Sequence, residues 1–254
     1  MDWLKCPGLK PWPRDLDSHR KVPVVRPAKL VKAGGRALLR RYAPRLLYPV
    51  PASSLQPERL YLYLDALWKR RHLDGAVVEV GCWLAGTSTI ACKMLRRTGH
   101  PHRYVAIDTF DGFVVDQFAH DEKRGTPPDA RSMFDANSVA MVRRLLEHWD
   151  ANEVELLQAD IATLASDRLP EQIAVSLIDV DLEIPVYEAL RRIVPRLVQG
   201  GIVLVDDCPE ETSWPGARAG YSRFIAETGQ DEHYLMGMGL LSIGLTPLPR
   251  PRKK

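Results

Sequence analysis

Two pairs of aspartates follow short apolar runs of the chain. The first run ends in Asp179-Val180-Asp181 and the second in Asp206-Asp207. If these runs are neighbouring strands of one sheet, their ends lie about 5 Å apart and the four carboxylates converge. Unpaired carboxylates at that distance repel one another, and a hard divalent cation relieves the repulsion. The pattern predicts a Mg²⁺ site with Asp179, Asp206 and Asp207 as ligands.

A glycine-containing loop follows an earlier apolar run, from Glu79-Val80-Gly81 to Gly86-Thr87-Ser88. Glycines at a strand-to-helix turn let the backbone approach a ligand. The spacing differs from the G-x-G-x-x-G of dinucleotide sites, and the carboxylate before the first glycine suits a cationic ligand. Asp108 and Asp160 end the next two runs, where they can accept hydrogen bonds from a ribose and an adenine. The loop and these acids predict an S-adenosylmethionine site, unless the acids only cap the following helices.

A metal beside a methyl donor predicts methyl transfer to a hydroxyl group. Coordination to Mg²⁺ lowers the pKa of a hydroxyl and orients it for attack on the sulfonium methyl. Asp181 is the predicted base that takes the proton, although it could instead cap a helix that begins near residue 185. The histidines are alternative bases, but isolated histidines more often serve at the surface or in packing; they are His120, His148 and His233.

The segments that carry these residues alternate between strands and helices. Strands are predicted over 76–80, 104–107, 154–158, 175–178 and 201–205, with helices over 87–97, 139–149 and 185–197 between some of them. Uniformly apolar strands that alternate with helices indicate an α/β fold whose parallel sheet is covered on both faces. Ser53-Ser54 is predicted to cap a helix over 57–71, and residues 234–245 to form a closing hairpin strand.

The length and composition fit one large α/β domain with an appendage. The chain has 254 residues, of which 45% are hydrophobic, so it can bury a sizeable core. No run approaches the roughly 20 apolar residues of a membrane span, and the first residues do not resemble a secretory signal. The four cysteines are scattered, as is typical of reduced thiols. These features predict a cytoplasmic protein.

Positive charge is concentrated at the start of the chain. Residues 1–72 contain 16 basic and 5 acidic residues, whereas the whole chain has a net charge of +3. We expect an irregular arm over 1–27 and a basic amphipathic helix over about 28–47, within an N-terminal lid or oligomerisation segment (1–72). The helix could contact a membrane surface, although packing on its own domain or on a second subunit of a homo-oligomer is the commoner role. Residues 73–246 form the predicted catalytic domain and 247–254 a basic tail; no nucleic-acid partner is expected.

From about residue 56 to 245 the sequence resembles the macrocin O-methyltransferase family. The resemblance is carried by Glu79-Val80-Gly81 with Gly86, by the run from Ile107 to Phe113, by Asp179-Val180-Asp181-Leu182, and by Gly200-Gly201 followed by Asp206-Asp207. It implies a Rossmann-like class I methyltransferase with a mostly parallel seven-stranded sheet, and Mg²⁺-dependent methylation of a sugar on a natural product or glycolipid. It also implies that Asp179, Asp206 and Asp207 hold the metal and that Asp181 is the base. The predicted cofactor contacts are Glu79, Gly81, Trp83, Gly86, Thr87, Ser88, Asp108, Thr109, Phe110, Asp160, Ile161 and Asp179.

The departures from the family pattern concern the acceptor. The family usually continues D-L-Y-E-x-T, where this chain has Asp181-Leu182-Glu183-Ile184-Pro185-Val186, and Val114 stands where proline is frequent. Residues 120–134 could form a lid over the acceptor. A catechol-like phenol is therefore an alternative acceptor. A cephalosporin hydroxylase-like protein would need histidine near the aspartates to bind iron, and a non-catalytic nucleoside-binding protein would not need acids at every strand end.

Overall fold

The computed structural model describes residues 27–210 and 214–244, with side chains from residue 35 onward. Residues 1–26 of the predicted arm, the end of the predicted hairpin strand and the tail over 247–254 lie outside the described residues. The chain divides into a unit of residues 1–38 and a larger compact unit of residues 39–254. Within the described residues, no helix is long and apolar enough to cross a membrane.

Seven strands form one sheet in the larger unit. They are β1 (Ala76–Val80), β2 (Tyr104–Asp108), β3 (Val154–Gln158), β4 (Ile173–Ile178), β5 (Leu197–Val205), β6 (His233–Leu235) and β7 (Met238–Ser242). Their order across the sheet is β3-β2-β1-β4-β5-β7-β6. The first five strands pair in parallel, while β7 is antiparallel to both β5 and β6. The predicted mostly parallel seven-stranded sheet with a closing hairpin is confirmed.

Helices cover both faces of this sheet, as predicted. The helices are α1 (Pro27–Tyr42), α2 (Pro57–Arg70), α3 (Gly86–Arg97), α4 (Val115–Glu122), α5 (Val139–His148), α6 (Glu183–Ile193) and α7 (Pro215–Thr228). The buried side chains of α2, α3 and α5 pack on one face, and those of α6 and α7 pack on the other. Because α2 packs against α3, β4 and β5, the compact unit begins before the predicted boundary at residue 72.

Several local predictions differ from the structure. Helices α4 and α7 were not predicted, and α6 begins two residues before the expected start. The predicted basic helix over 28–47 is α1 followed by a short 3-10 turn at Pro44–Leu46, and it continues through Gly34 and Gly35. The predicted capping role of Ser53-Ser54 is wrong, because Gln56 is the N-cap of α2 and has no side-chain cap bond. The hydroxyl of Ser53 instead lies 2.7 Å from that of Thr87.

The parallel strands end at one edge of the sheet, and the residues just beyond them remain in register. Their backbone N–H groups bond to carbonyl oxygens of the neighbouring strand, in the pairs Gly81 to Ile107, Ala159 to Asp108, Asp179 to Val80 and Asp206 to Ile178. Strands β4 and β5 are neighbours, as the predicted meeting of the aspartates requires. The chain segments that follow the strands are therefore held side by side above this edge.

Candidate active site

A cavity of about 830 Å³ lies at the carboxyl edge of the sheet. Its volume is within the range of roughly 300–1,000 Å³ that is typical of small-molecule sites. Most of the predicted site residues line it, as expected for ligand sites of parallel sheets. These residues are Gly81, Trp83, Asp108, Thr109, Asp160, Ile161, Asp179, Asp181, Asp206 and Asp207.

The glycine loop packs tightly against the residues that follow β4. Gly81 has a φ of +84°, and a Cβ atom added to it would lie 1.9 Å from the backbone oxygen of Asp179. Trp83 and Ala85 also have left-handed backbones, so the chain reverses sharply before α3. The absence of a side chain at Gly81 therefore lets this loop and the residue after β4 approach each other at the cavity floor.

We expect Gly81→Ala to lower the free energy of unfolding by about 2–3 kcal/mol, because alanine adds left-handed strain and a backbone clash. The loop must shift to relieve the clash, so the affinity for S-adenosylhomocysteine should fall in parallel. Chemical denaturation and calorimetry measure the two effects. Gly99→Ala is the matched control, since Gly99 has a φ of +76° but nothing within 4 Å of an added Cβ. Equal losses in the two variants would contradict the close approach at Gly81.

Glu79 faces away from the cavity, so the predicted contact between this carboxylate and the cofactor is corrected. Side chains alternate along a strand, and Val78 and Val80 pack on the opposite face from Glu79. The Glu79 carboxylate is buried and accepts hydrogen bonds from Ser88 Oγ at 2.6 Å and from the Tyr104 hydroxyl. Burial raises the pKa of Glu79 to about 7. Through its hydrogen bond to Ser88, Glu79 therefore stabilises the glycine loop from the side opposite the cavity.

This buried carboxyl predicts a pH-dependent stability. In the folded protein Glu79 has a pKa of about 7, whereas an unperturbed glutamate has a pKa of 4.5. Stability therefore falls as pH rises between these values. Relative to Glu79→Gln, the wild-type protein should lose about 3 kcal/mol of unfolding free energy across this range. Denaturation from pH 4.5 to 8 measures the difference, with the exposed Glu155→Gln as the control. The prediction would be contradicted if the difference in unfolding free energy between the wild-type and Glu79→Gln proteins did not change with pH.

Four more predicted cofactor contacts do not line the cavity: Gly86, Thr87, Ser88 and Phe110. Gly86 begins α3 and serves close packing, since an added Cβ would lie 1.9 Å from the backbone oxygen of Ala52. Phe110 is buried, but its N–H donates to Asp108 Oδ1 at 2.8 Å. These residues stabilise the loops around the cavity, but their atoms do not form its surface.

Asp108 and Asp160 line the cavity and also organise its loops. Asp108 Oδ2 accepts the N–H groups of Cys82 and Trp83, both at 2.9 Å. Burial raises the pKa of Asp108, while these loop N–H bonds oppose the rise. Asp160 accepts from the backbone of Ala162 and from Gln117 Nε2, at 2.9 and 3.0 Å. Each carboxylate oxygen has two acceptor positions, so Asp160 can still accept bonds from a ligand at both oxygens, whereas Asp108 can do so at Oδ1.

The four aspartates meet at one end of the cavity. Asp179, Asp181 and Asp207 each offer an oxygen within 4.8 Å of the other two. Burial, and then repulsion by neighbouring aspartates, raise the pKa values of Asp179 and Asp181 well above the ordinary range. Asp181 and Asp207 have positive φ values of 62° and 52°, a strained backbone that is common at functional sites. Asp181 is not the N-cap of α6, which is Leu182.

A family model covers this catalytic region. The model for macrocin-O-methyltransferase (TylF) matches residues 64–233, more than half of the chain. The chain belongs to the macrocin O-methyltransferase family. The predicted enzyme class, an S-adenosylmethionine-dependent O-methyltransferase, is thereby confirmed.

Solved structures of other methyltransferases share the fold. The O-methyltransferase NovP is 21% identical, with a TM-score of 0.62 over 73% of this chain and 78% of that protein. The calicheamicin methyltransferase CalS11 is 22% identical, with a TM-score of 0.60 over 90% of this chain and 99% of that protein. At these identities the likeness shows the class I methyltransferase fold. Comparison with curated protein sequences gave no match.

Arg59 is a site residue of this macrocin O-methyltransferase family member that the sequence analysis missed. Its Nη1 atom lies 3.0 Å from Asp206 Oδ1 and 2.7 Å from Asp207 Oδ1. The Arg59 side chain is 7% exposed, and its Nε atom has no hydrogen-bond partner among the described residues. The Asp206 pKa is raised to about 6 by burial and by Asp207, and Arg59 opposes this rise. Arg59 is thus the counter-ion of the two adjacent aspartates.

An aromatic wall bounds another part of the cavity in this methyltransferase. Phe113 contacts Phe134 and Trp214 with ring centroids 5.4 and 5.5 Å apart, and Trp83 lies 6.1 Å from Phe134. All four side chains line the cavity. The predicted lid over 120–134 therefore contributes one aromatic ring at its end, while its first part includes the end of α4. A ligand with apolar faces can pack against this wall.

Proposed function

We propose that this enzyme transfers a methyl group from S-adenosylmethionine to a hydroxyl of a sugar on a natural product or glycolipid, with Mg²⁺ bound at the aspartates. The observation that carries the proposal is the placement of Asp179, Asp181 and Asp207 together in the cavity that the glycine loop also lines. A methyl donor held by the loop and a hydroxyl held at the aspartates would share one enclosed space.

The residues at this end of the cavity fit a magnesium ion. They supply hard oxygen donors, which Mg²⁺ prefers. Within the described residues, the ion pairs of the four aspartates involve Arg59 alone, so negative charge is in excess. We assign Asp179, Asp206 and Asp207 as ligands, and Arg59, which pairs with both Asp206 and Asp207, would have to release them to the metal. No histidine is among the described residues that line the cavity, which disfavours an iron-dependent hydroxylase.

Asp181 is the proposed base. The Asp181 side chain lines the cavity and lies within 4.8 Å of ligand atoms of Asp179 and Asp207, so its carboxylate is within reach of a hydroxyl bound at the aspartates. When bound, Mg²⁺ lowers the pKa of the acceptor hydroxyl and fixes its orientation. Asp181 then takes the hydroxyl proton, the oxygen forms a bond to the methyl carbon, and the bond from that carbon to sulfur breaks. The products are a methyl ether and S-adenosylhomocysteine.

Asp108, Asp160 and the glycine loop are proposed to bind the methyl donor. In this proposal Asp108 accepts hydrogen bonds from the ribose hydroxyls, and Asp160 accepts one from the adenine amino group. Gln117 fixes the Asp160 carboxylate by a 3.0 Å hydrogen bond. The roles of residues 1–72 as a lid or oligomerisation segment, the homo-oligomer and the cytoplasmic location stay predictions.

The sugar acceptor is supported by the relatives and by the aromatic wall. CalS11 is described as a TDP-rhamnose 3′-O-methyltransferase of calicheamicin biosynthesis. Aromatic rings can pack against the C–H faces of a sugar while the aspartates bind its hydroxyls. The same aromatic wall also fits the ring of a catechol-like phenol, which is the second candidate acceptor.

A methyl-transfer assay against a panel of glycosides, nucleotide sugars and catechols tests this function. We expect a methylated product from a sugar acceptor with Mg²⁺ and loss of the product with EDTA. Exclusive methylation of catechols would support the second candidate. Turnover unaffected by EDTA would overturn the metal role, and calorimetry without S-adenosylhomocysteine binding at any Mg²⁺ concentration would overturn the cofactor assignment.

A further inference from the structure

Three metal-ligand side chains meet outside the cavity. His120 and Asp121 lie near the end of α4, and Glu183 is the first residue of α6. Each offers one ligand atom within 4.8 Å of the other two. None of the three lines the cavity, so this His-Asp-Glu cluster is separate from the four aspartates. The proposed methyl transfer does not use it.

Asp121 is fully buried, with 0% of its surface exposed. Its Oδ2 atom accepts the backbone N–H of Glu183 at 2.9 Å. The start of α7 closes over the same oxygen, because a Cβ on Gly216 would lie 1.8 Å from it. The Oδ1 atom is also buried and has no hydrogen-bond partner among the described residues. Buried carboxylate oxygens normally have a partner, so this atom is available to a ligand that is not part of the described chain, such as a cation or a water.

The distance between the other two side chains suits a transition metal. His120 Nε2 lies 3.1 Å from Glu183 Oε2, which is a hydrogen-bonding distance and also close to the spacing of two ligands on one ion. Two ligands of a tetrahedral ion with bonds of about 2.0 Å are roughly 3.3 Å apart. One imidazole nitrogen and two carboxylate oxygens are donors that Zn²⁺ and related ions accept, whereas Mg²⁺ prefers oxygen alone. The His120 side chain is 33% exposed, so an ion can enter from solvent.

Arg124 competes for the same carboxylate. Its Nη1 atom lies 2.9 Å from Glu183 Oε2 and its side chain is 51% exposed. The Glu183 side chain is 11% exposed, so its carboxylate needs a positive partner, and a bound cation could take that place while the half-exposed Arg124 turns into solvent. The simplest alternative to a metal site is therefore an ion-pair network of His120, Glu183 and Arg124.

We propose that His120, Asp121 and Glu183 bind a divalent transition-metal ion of the Zn²⁺ type, which joins the end of α4 to the start of α6. Helix α4 also carries Gln117 into the cavity, and Glu183 follows the proposed base Asp181 by two residues. The ion would hold these two parts of the cavity wall together. The site does not depend on the proposed methyl-transfer function.

Cobalt titration of the chelator-treated full chain tests the site, with excess Mg²⁺ present throughout. Four-coordinate Co²⁺ absorbs visible light strongly, whereas Co²⁺ in an octahedral site of oxygen ligands absorbs weakly. We expect one equivalent of Co²⁺ to produce strong absorption that Zn²⁺ removes. His120→Gln should weaken this binding by at least about 100-fold, since even residues that only support metal ligands change affinity by roughly 10–100-fold. The exposed His148→Gln is the matched control and should bind like the wild-type protein.

Arg124→Gln gives a second readout in the opposite direction. Removing the competing cation should tighten Co²⁺ binding, whereas a pure ion-pair network predicts no gain. Thermal unfolding in chelator checks that each variant folds. Equal Co²⁺ affinity in the wild-type and His120→Gln proteins, or no strong absorption in the wild-type protein, would overturn the metal site and leave the ion-pair network.

Discussion

The Asp206→Asn variant is expected to lose about 10³-fold in kcat/KM for methyl transfer, which corresponds to roughly 4 kcal/mol of barrier. Asp206 and Asp207 follow β5, and Asp179 follows the neighbouring strand β4, so the loss of one carboxylate removes a proposed metal ligand. The affinity for Mg²⁺ should fall with the activity. Binding of S-adenosylhomocysteine should stay nearly unchanged, because the glycine loop, Asp108 and Asp160 are intact. Calorimetry with each ligand and steady-state kinetics measure the three quantities.

The variant Asp181→Asn tests whether Asp181 is the base or a metal ligand. It should lower kcat strongly while Mg²⁺ binding is retained, because Asp181 is proposed to take the proton. The structure places Asp181 as close to Asp179 and Asp207 as a ligand would be. Loss of Mg²⁺ affinity in Asp181→Asn, together with normal affinity in Asp206→Asn, would therefore reverse the two assignments.

Replacing Arg59 by methionine is expected to destabilise the metal-free protein by about 3–5 kcal/mol, since the change leaves buried carboxylates without their counter-ion. The affinity for Mg²⁺ should rise at least about tenfold, because the cation no longer competes with Arg59 for Asp206 and Asp207. Saturating Mg²⁺ should restore much of the lost stability. Denaturation with and without Mg²⁺, and calorimetric titration, measure these effects.

Lys69→Met is the matched control for Arg59. Lys69 is in the same helix and pairs with Asp65, but its side chain is 65% exposed. Such a surface pair contributes about 1 kcal/mol or less, and neither Lys69 nor Asp65 lines the cavity. Weaker Mg²⁺ binding in Arg59→Met would show that Arg59 supports the metal site instead of competing with the ion.

A local signal for Arg59 was present in the sequence. The buried residues of α2 are Arg59, Tyr63, Ala66 and Leu67. This spacing describes one face of a helix, and an arginine on such a face requires a buried acidic partner. The partner could not be identified locally, because Asp206 lies 147 residues further along the chain.

Helix α7 was missed because its glycines normally disfavour helices. Here they allow close packing on α6: a Cβ on Gly216 would lie 2.6 Å from Glu183 N, and one on Gly220 would lie 2.6 Å from Glu183 O. The benefit of these glycines exists only once α6 is beside α7. No helix was therefore predicted here from the sequence, and the packing of α7 on α6 decided it.

The sequence by itself determined the parallel sheet, the glycine loop and the acids that follow the strands. Each depends on a local pattern, namely an apolar run followed by a polar residue. Tertiary structure decided which of these acids lie close together and which side chains face away from the cavity. Glu79 and Asp179 both lie at strand ends, yet alternation along β1 buries Glu79 beneath the loop while Asp179 faces the cavity. Strand pairing and the approach of α2 then place Asp179 near Asp207, and Asp207 against Arg59, by contacts between residues far apart in the chain.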